Sequence, residues 1–258
     1  MKFGYYGNFN TSYQTEKYIA DALEKAGHTV IRINRDNTNL IDCDYVLFAK
    51  LYKRDIILKA RKAGIPTVCW YFDLYNGSPL YDGKKMIHLE ADIVITTDGN
   101  DKYHTIRQAV HKPEKIMIKG KKIHDVIFVG TPYKYGGRKA MLNKIKPKIF
   151  RHTRGLALNK LLGQTKIVLG DSFPSPSYWS NRIYEMTGRG GFLIHPKHPL
   201  FPKYIPQFER GKPEKLIKYY LKHEEERENL RKIQFEKCPT YDDRIKDLLK
   251  ILYIKSTI

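Results

Sequence analysis

The residues best suited to chemistry lie in the segment 177–196, where Arg182 and Glu185 stand three positions apart. The pattern predicts a helix over 177–187 after a Ser/Pro loop, so its first N–H groups and positive dipole end would suit a diphosphate. Arg182 lies in the early turns and can add a two-pronged contact to a phosphate. Glu185 shares its helical face and is placed to accept hydrogen bonds from ribose hydroxyls. The segment therefore predicts a nucleotide-binding site.

A simpler interpretation of Arg182 and Glu185 is an exposed i,i+3 ion pair, which many helices carry. The run Gly188-Arg189-Gly190-Gly191 follows directly and leads into an apolar strand. This run is unusual after a plain surface helix and favours the binding site over the ion pair.

A second candidate phosphate site lies at Gly130 and Thr131, with Arg138 following on a predicted helix. Glycine at a strand-to-helix turn lets the backbone approach an anion closely, and Arg138 would reach the same anion from the helix. The segment is neither a Walker A loop nor a G-x-G-x-x-G fingerprint. A plain tight turn is the alternative interpretation.

Carboxylates and histidines at predicted strand ends are the candidate proton-transfer groups. Asp73 follows the strand 67–72 and is the carboxylate best placed to be a general base, although a turn or capping aspartate is the slightly preferred explanation. Asp98 and His104 are weaker candidates of the same kind. His195 ends a strand and is placed either to reach a ligand or to serve as a capping or hydrogen-bonded structural histidine.

Alternating strands and helices in the first hundred residues must position these groups. Short apolar, β-branched runs alternate with helical patterns, which is typical of βαβ units and a parallel sheet that binds ligands beyond the carboxyl ends of its strands. The predicted strands are 2–6, 29–33, 45–49, 67–72 and 92–97, and the predicted helices are 15–26 and 54–63.

A second set of alternating elements follows a Lys-rich stretch, 112–122, which we interpret as a linker. We therefore predict an α/β protein with two Rossmann-like domains, 1–120 and 121–258, and long C-terminal helices that close the chain. The predicted strands are 125–130, 147–152, 166–170 and 191–195, and the predicted helices are 137–146, 156–162, 177–187, 213–238 and 241–254.

Composition limits the class of protein. The 258 residues include only three cysteines, far apart, so neither a disulfide framework nor a zinc site is indicated. The first residues lack a signal-peptide pattern and no stretch resembles a membrane span, so we expect a cytoplasmic protein.

The net charge is +20, and residues 101–200 hold 20 Lys and Arg against 5 Asp and Glu. Such an excess suggests a partner that carries phosphate: a nucleotide, a nucleic acid or an anionic membrane. A generally Lys-rich composition is the alternative.

The order of these motifs resembles one known family. The sequence reads FVG at 128–130 followed by Arg138, then KIVLG, then S-x-R-x-Y-E-x-x-G-x-G-G-F-L from Ser180, then an Arg/Glu-rich helix running into TYDDR. Residues 125–252 thus resemble the C-terminal part of CgeB-like (spore maturation protein type) GT-B glycosyltransferases. The family has a histidine where this chain has Pro239, and a related Glu pattern would begin at Ser177, so neither role is carried over.

The resemblance implies two Rossmann-like domains facing a cleft, with donor contacts from Arg138 and Arg182 to the diphosphate and from Glu185 to the ribose. Ser180 and Tyr184 of the same motif complete the donor set.

The N-terminal half resembles the family more loosely. After its first strand, the polar loop with Gly7 and Asn8 lies where such enzymes often face the acceptor.

We therefore expect transfer of a sugar from a nucleoside diphosphate sugar, with a UDP-sugar as the expected donor, to a hydroxyl acceptor, with no metal and no cofactor besides the donor. The acceptor is a glycan, a lipid, a protein or, as an alternative, a hydroxylated base in DNA. A non-catalytic nucleic-acid-binding protein on a GT-B scaffold is the rival from another class. The abundance of Lys and Tyr would suit such binding, but the sequence has no dedicated nucleic-acid-binding motif.

Overall fold

A computed structural model describes residues 1–11, 14–34, 42–49, 55–72, 90–99, 102–132, 136–178 and 180–256. The chain divides into two compact units, residues 1–108 with 241–258, and residues 109–240. Along the described residues the elements follow in the order β1 (Lys2–Tyr6), α1 (Thr15–Lys25), β2 (Thr29–Ile33), β3 (Tyr45–Phe48), α2 (Asp55–Lys62), β4 (Thr67–Tyr71), β5 (Ile93–Thr96), β6 (His104–Thr105), a 3-10 turn (Lys112–Glu114), β7 (His124–Val129), α3 (Gly136–Ile145), β8 (Lys148–Phe150), α4 (Gly155–Gly163), β9 (Thr165–Leu169), α5 (Arg182–Thr187), β10 (Leu193–Pro196), β11 (Gln207–Phe208), α6 (Glu214–Lys222), α7 (Glu224–Lys237) and α8 (Tyr241–Ser256).

The first unit is a six-stranded sheet in the order β2-β1-β3-β4-β5-β6, and every paired strand is parallel. Strands β4 and β5 are buried along their whole length, as expected when helices cover both faces of a parallel sheet. Helix α1 buries Tyr18, Ile19 and Leu23, which recur at helical spacing. The doubly wound α/β prediction for this half is confirmed.

The second unit is a five-stranded parallel sheet in the order β11-β10-β9-β7-β8. Its core lies on both faces of β7, β9 and β10, where Phe128, Val168 and Leu193 are fully buried. Strands β7 and β9 are neighbours and parallel, so their carboxyl ends, and the loops that follow them, lie at the same edge of the sheet. That edge is where the candidate site is built.

The units do not divide where the sequence suggested. The boundary falls after residue 108 instead of residue 120, and the predicted linker 112–122 belongs to the second unit. Helix α8 belongs to the first unit, where Tyr241 is fully buried with its ring centroid 6.0 Å from that of Tyr18. Tertiary packing of aromatic side chains decides this assignment, and sequence order does not carry that information.

Two helices differ from their predicted lengths. The helix predicted over 213–238 is broken at His223, whose φ of −102° and ψ of 73° are not helical, and the Arg227 guanidinium donates to the Tyr220 carbonyl at the end of α6. The helix predicted over 177–187 begins only at Arg182. The Ser180 N–H donates to the Ser172 hydroxyl, and such side-chain acceptors compete with helical hydrogen bonds.

None of the helices within the described ranges combines the length and the apolar content needed to cross a membrane.

Candidate functional site

The turn after β7 brings together two residues that the sequence analysis placed in separate sites. Gly130 has a φ of +128°, a backbone conformation that residues other than glycine rarely adopt. A Cβ at Gly130 would collide with the Arg182 guanidinium, whose Cζ lies 4.8 Å from the Phe128 ring centroid. Glycine is therefore needed here for two reasons, backbone conformation and the close approach of Arg182. The two segments that were predicted to bind phosphate separately therefore lie side by side.

Asp171, two residues after β9, is the centre of an arginine cluster that we define as Arg138, Arg182 and Arg210. Its carboxylate accepts from Arg138 Nε at 2.7 Å and from Arg210 Nη1 at 3.0 Å. Its backbone carbonyl accepts from Arg182 Nη1 at 3.1 Å. Three guanidinium groups thus meet at one residue, two of them at its carboxylate and one at its backbone carbonyl, and such a concentration of positive charge suits an anionic ligand.

The three arginines differ in exposure, which separates their roles. The Arg138 and Asp171 side chains are 3% and 2% exposed, whereas the Arg210 side chain is 41% exposed and Arg182 is half-buried. Arg138 also donates to the Thr131 carbonyl at 3.0 Å, so its hydrogen bonds serve to hold the turn and Asp171. Arg182 and Arg210 are the members of the cluster that a ligand can reach from solvent.

His195 supports the loop that leads into α5. Its Nδ1 lies 2.9 Å from the Pro196 carbonyl, which can only accept, so this nitrogen carries the proton and Nε2 accepts from the Ser172 hydroxyl at 3.0 Å. The Ser172 oxygen in turn accepts from the Ser180 N–H at 3.2 Å. Burial lowers the pKa of His195 to about 3. This is the hydrogen-bonded structural histidine that the sequence analysis kept as one of its two interpretations.

Glu185 lies in a buried charge network and not in an exposed pair. Its Oε2 accepts from Arg189 Nε at 2.7 Å, and Arg189 also binds the Glu114 carboxylate and Asn159 Oδ1. Only 7% of Glu185 is exposed. Burial raises the pKa of Glu185, and the nearby Arg189 guanidinium opposes that rise. Its other oxygen, Oε1, is buried without a hydrogen-bond partner.

Three side-chain oxygens near the start of α5 are buried and have no hydrogen-bond partner. They are Ser180 Oγ, Asn181 Oδ1 and Glu185 Oε1. A buried polar atom without a partner costs about 1–3 kcal/mol, so such atoms are normally paired with a ligand or with ordered water. Hydroxyl or N–H donors from a ligand would satisfy them.

Other residues of the predicted motif pack in the core. Tyr184 is buried in an apolar cluster with Val110 and Cys238, and a Cβ at Gly188 would collide with the Val110 side chain. Gly190, with a φ of +79°, lies against Met117. The glycine run that favoured a binding site is thus explained by close packing of α5 and the turn after it.

The candidates in the first unit are not joined into a site by the described contacts. Gly7 lies against the Glu16 side chain, and the Asn8 side chain accepts from the Asn10 N–H at 3.1 Å, a local turn contact. Asp98 is buried at the end of β5 and His104 is exposed in β6. Asp73 lies outside the described residues, so its role stays a prediction. Nor do the described ranges contain a group of three or more His, Cys, Asp or Glu side chains able to hold a metal ion.

Sequence reasoning missed Asp171, Arg210 and the Arg189 network. Asp171 offered a signal, because it follows a buried strand whose carboxyl end adjoins that of the Gly130 strand. Arg210 and Glu114 offered none, since they lie 39 and 75 residues from the partners they bind.

Comparison with known proteins adds the family. Residues 107–250, more than half of the chain, match a family model described as glycosyl transferase-like. No curated protein matches the sequence.

Several solved structures are similar to the chain. Anabaena Alr3699/HepE in complex with UDP has a TM-score of 0.64 at 10% identity, over 97% of this chain and 100% of that one. The DNA modifying enzyme β-glucosyltransferase, studied with and without uridine diphosphoglucose, has a TM-score of 0.60 at 14% identity, over 92% and 93%. An α1,3-fucosyltransferase has a TM-score of 0.56 at 14% identity, over 89% and 80%. At these identities the likeness concerns the fold, and the predicted GT-B fold is confirmed.

Proposed function

Because this chain belongs to the glycosyl transferase-like family, we propose that it transfers a sugar from a nucleoside diphosphate sugar, specifically a UDP-sugar, to a hydroxyl acceptor. One observation carries the proposal: Arg138, Arg182 and Arg210 converge on Asp171 beside the glycine turn, in the unit that also holds the unsatisfied oxygens of α5. Cations next to hydrogen-bond acceptors suit a ligand that carries both phosphates and hydroxyls. The resemblance to CgeB-like enzymes is the finer form of this proposal.

In this proposal the diphosphate lies against Arg182 and Arg210. Both guanidinium groups are reachable from solvent. Arg182 already donates to the Asp171 carbonyl, and Arg210 donates to the Asp171 carboxylate and to the Ser172 carbonyl, which holds the two side chains near each other. Arg138 is buried and works indirectly, by fixing Asp171 and the Thr131 carbonyl. Guanidinium groups make strong, charge-assisted bonds to phosphate, so they can replace a metal ion as the counter-charge. We therefore propose a metal-independent reaction.

The ribose would be bound by Glu185, whose Oε1 is the open acceptor of a carboxylate held by Arg189. A uridine donor is supported by two structural neighbours, which were studied with UDP and with uridine diphosphoglucose. Ser180 Oγ and Asn181 Oδ1 are available for further hydroxyls.

The reaction itself needs little from the donor side beyond charge. The acceptor oxygen forms a bond to the anomeric carbon, the bond from that carbon to the diphosphate breaks, and the acceptor proton passes to a base. The diphosphate leaves with one additional negative charge, which preorganised arginines stabilise without rearranging. Asp73 is the proposed base.

A ligand screen tests the proposal. Thermal unfolding is recorded in EDTA for the wild type, Arg182→Ala and Glu185→Gln with UDP, GDP, ADP, TDP and UDP-glucose. A ligand present at about 100 times its dissociation constant adds about 2.7 kcal/mol to stability, which raises the melting temperature of a chain of this size by roughly 5–10 °C. We expect a response to uridine nucleotides that both variants lose. If no nucleotide shifts the wild type, the proposal is refuted.

A second candidate places DNA as the acceptor, through a hydroxylated base. Residues 109–240 contain 28 Lys and Arg against 11 Asp and Glu, an excess of 17 positive charges in one unit. One structural neighbour is a DNA modifying β-glucosyltransferase. DNA binding through several phosphates would weaken steeply with salt, with a slope of about −0.9 for each phosphate contacted.

Titration with duplex DNA between 50 and 200 mM salt separates the outcomes. A steep slope together with a UDP-glucose response supports the DNA acceptor. A steep slope without any nucleotide response supports a non-catalytic nucleic-acid-binding protein, and a flat profile leaves a glycan, lipid or protein acceptor.

A further inference from the structure

We propose that Arg189 is a positioning residue, which turns one oxygen of Glu185 toward the ligand and keeps this carboxylate ionised. The ligand part of this inference rests on the proposed function, in which Glu185 accepts ribose hydroxyls. The part that concerns Glu185 itself stands on the contacts within residues 109–240.

Arg189 cannot contact a ligand directly, because its side chain is 1% exposed and all three of its nitrogens are used. Nε donates to Glu185, Nη1 donates to Asn159 Oδ1 at 3.0 Å and to the Gly155 carbonyl at 3.4 Å, and Nη2 binds Glu114. Whatever Arg189 contributes to binding therefore passes through Glu185.

The backbone on both sides of the network is built to hold it. Gly190, in a left-handed conformation against Met117, lets the chain turn after α5 so that Arg189 points inward. The Asn159 amide donates to the carbonyls of Glu114 and Ile116 at 2.9 and 2.7 Å. The segment 112–122, which the sequence analysis interpreted as a linker, is thus held against α4, and it supplies the Glu114 carboxylate.

The carboxylates of Glu185 and Glu114 share the guanidinium of Arg189. Arg189 and Glu114 therefore have opposite effects on the pKa of Glu185. Arg189 and, more weakly, Arg154 favour its ionised form, whereas burial and the Glu114 charge disfavour it. Among the described residues, His111 also lies near this network, with its Nδ1 3.9 Å from Glu114 Oε2. Removing the Arg189 charge must raise the pKa of Glu185, and removing the Glu114 charge must lower it.

This opposition gives a test that a merely structural role would not pass. The carboxyl carbon of Glu185 is followed by NMR against pH in protein labelled at its glutamates, and assigned by its loss in Glu185→Gln. We expect its titration midpoint to rise by about one to three pH units in Arg189→Gln, to stay near the wild type in Arg189→Lys, and to fall in Glu114→Gln.

Arg227→Gln is the matched control, because Arg227 is a buried arginine that donates to the Tyr220 carbonyl and to Glu224 and does not bind Glu185. It removes the same buried charge and should leave the midpoint in place. Should Arg189→Gln not fold, Glu114→Gln, at a partly exposed position, still decides the matter. Equal midpoints in the wild type, Arg189→Gln and Glu114→Gln would overturn the inference.

The binding arm uses UDP-glucose, whose diphosphate is esterified at both ends and does not titrate near neutral pH. As the pH is lowered, protonation of Glu185 should weaken UDP-glucose binding. In Arg189→Gln this loss should begin at a higher pH than in the wild type, and in Glu114→Gln it should begin at a lower pH. If both variants keep the wild-type pH profile while the wild type binds, the inference is wrong. If the wild type binds no UDP-glucose at any pH, the proposed function fails, and the NMR midpoints still decide whether Arg189 controls Glu185.

Discussion

Gly130→Ala is the change that tests most sharply whether the glycine turn and Arg182 form one anion site. The new Cβ would occupy the space of the Arg182 guanidinium and displace it from the Phe128 ring. Loss of a hydrogen bond from a charged group costs about 1.5–3 kcal/mol, which corresponds to about 10- to 150-fold weaker binding of UDP-glucose. The strained backbone adds a stability loss of about 1–3 kcal/mol, or roughly 2–10 °C in melting temperature.

Two other glycines separate these effects. Gly64 has a φ of +68° and Gly137 lies in α3, and a Cβ at either meets nothing within 4 Å. Gly64→Ala should lower the melting temperature through strain alone, and Gly137→Ala should leave it equal or higher, both with wild-type affinity. Calorimetric titration with UDP-glucose and thermal unfolding of the three variants provide the comparison. If Gly130→Ala binds as tightly as Gly64→Ala, Arg182 does not hold the donor and the reasoning fails.

Three further predictions concern the residues around Asp171. Arg210→Ala should weaken UDP-glucose binding about tenfold or more, by titration, with little change in melting temperature, because its side chain is 41% exposed. Ser172→Ala should lower stability by about 1–3 kcal/mol in denaturant unfolding, since it leaves the Ser180 N–H and His195 Nε2 without their partner, whereas an unchanged midpoint would contradict the relay. The pKa of His195 is about 3 in the folded protein and about 6.5 in the unfolded chain. Neutral His195 therefore contributes fully to the free energy of unfolding above about pH 6.5. This contribution is lost as the pH falls toward about 3, because the unfolded chain takes up the proton first. His195→Gln should therefore flatten the acid loss of stability, and an equally steep loss in this variant would exclude the assignment.

The spacing of apolar residues predicted most helices and strands, because the buried face of a helix or strand is formed by residues that lie close together in the sequence. The strand 29–33 and the helix 137–146 correspond to β2 and α3 within one residue. The break at His223 was not predicted, since the residues on both sides are strong helix formers and no glycine or proline marks the end of α6. The same limit hid the true place of α8, which depends on contacts with α1 far away in sequence.

Within the site, sequence identified the groups with unusual local context and missed their partners. Gly130 and Arg182 were both predicted, and the structure joins them into one place. Glu185 was predicted from its spacing to Arg182, yet its charge partner is Arg189, and that residue is tied to Glu114. Pairings of this kind are set by the fold, so a single sequence carries no local record of them.

The position of Asp171 explains how three arginines can share one small space. Three guanidinium groups alone would repel one another, but a buried carboxylate that bridges Arg138 and Arg210, with its carbonyl on Arg182, offsets one of the three charges. In the proposed function, the positive charge of the cluster would complement the two negative charges of a nucleotide-sugar diphosphate, one on each phosphate. In the proposed reaction, the bond between the sugar and the diphosphate breaks and the diphosphate gains a further negative charge, so its attraction to the cluster would be stronger in the transition state than in the ground state. Interactions of that kind accelerate the reaction instead of only tightening substrate binding.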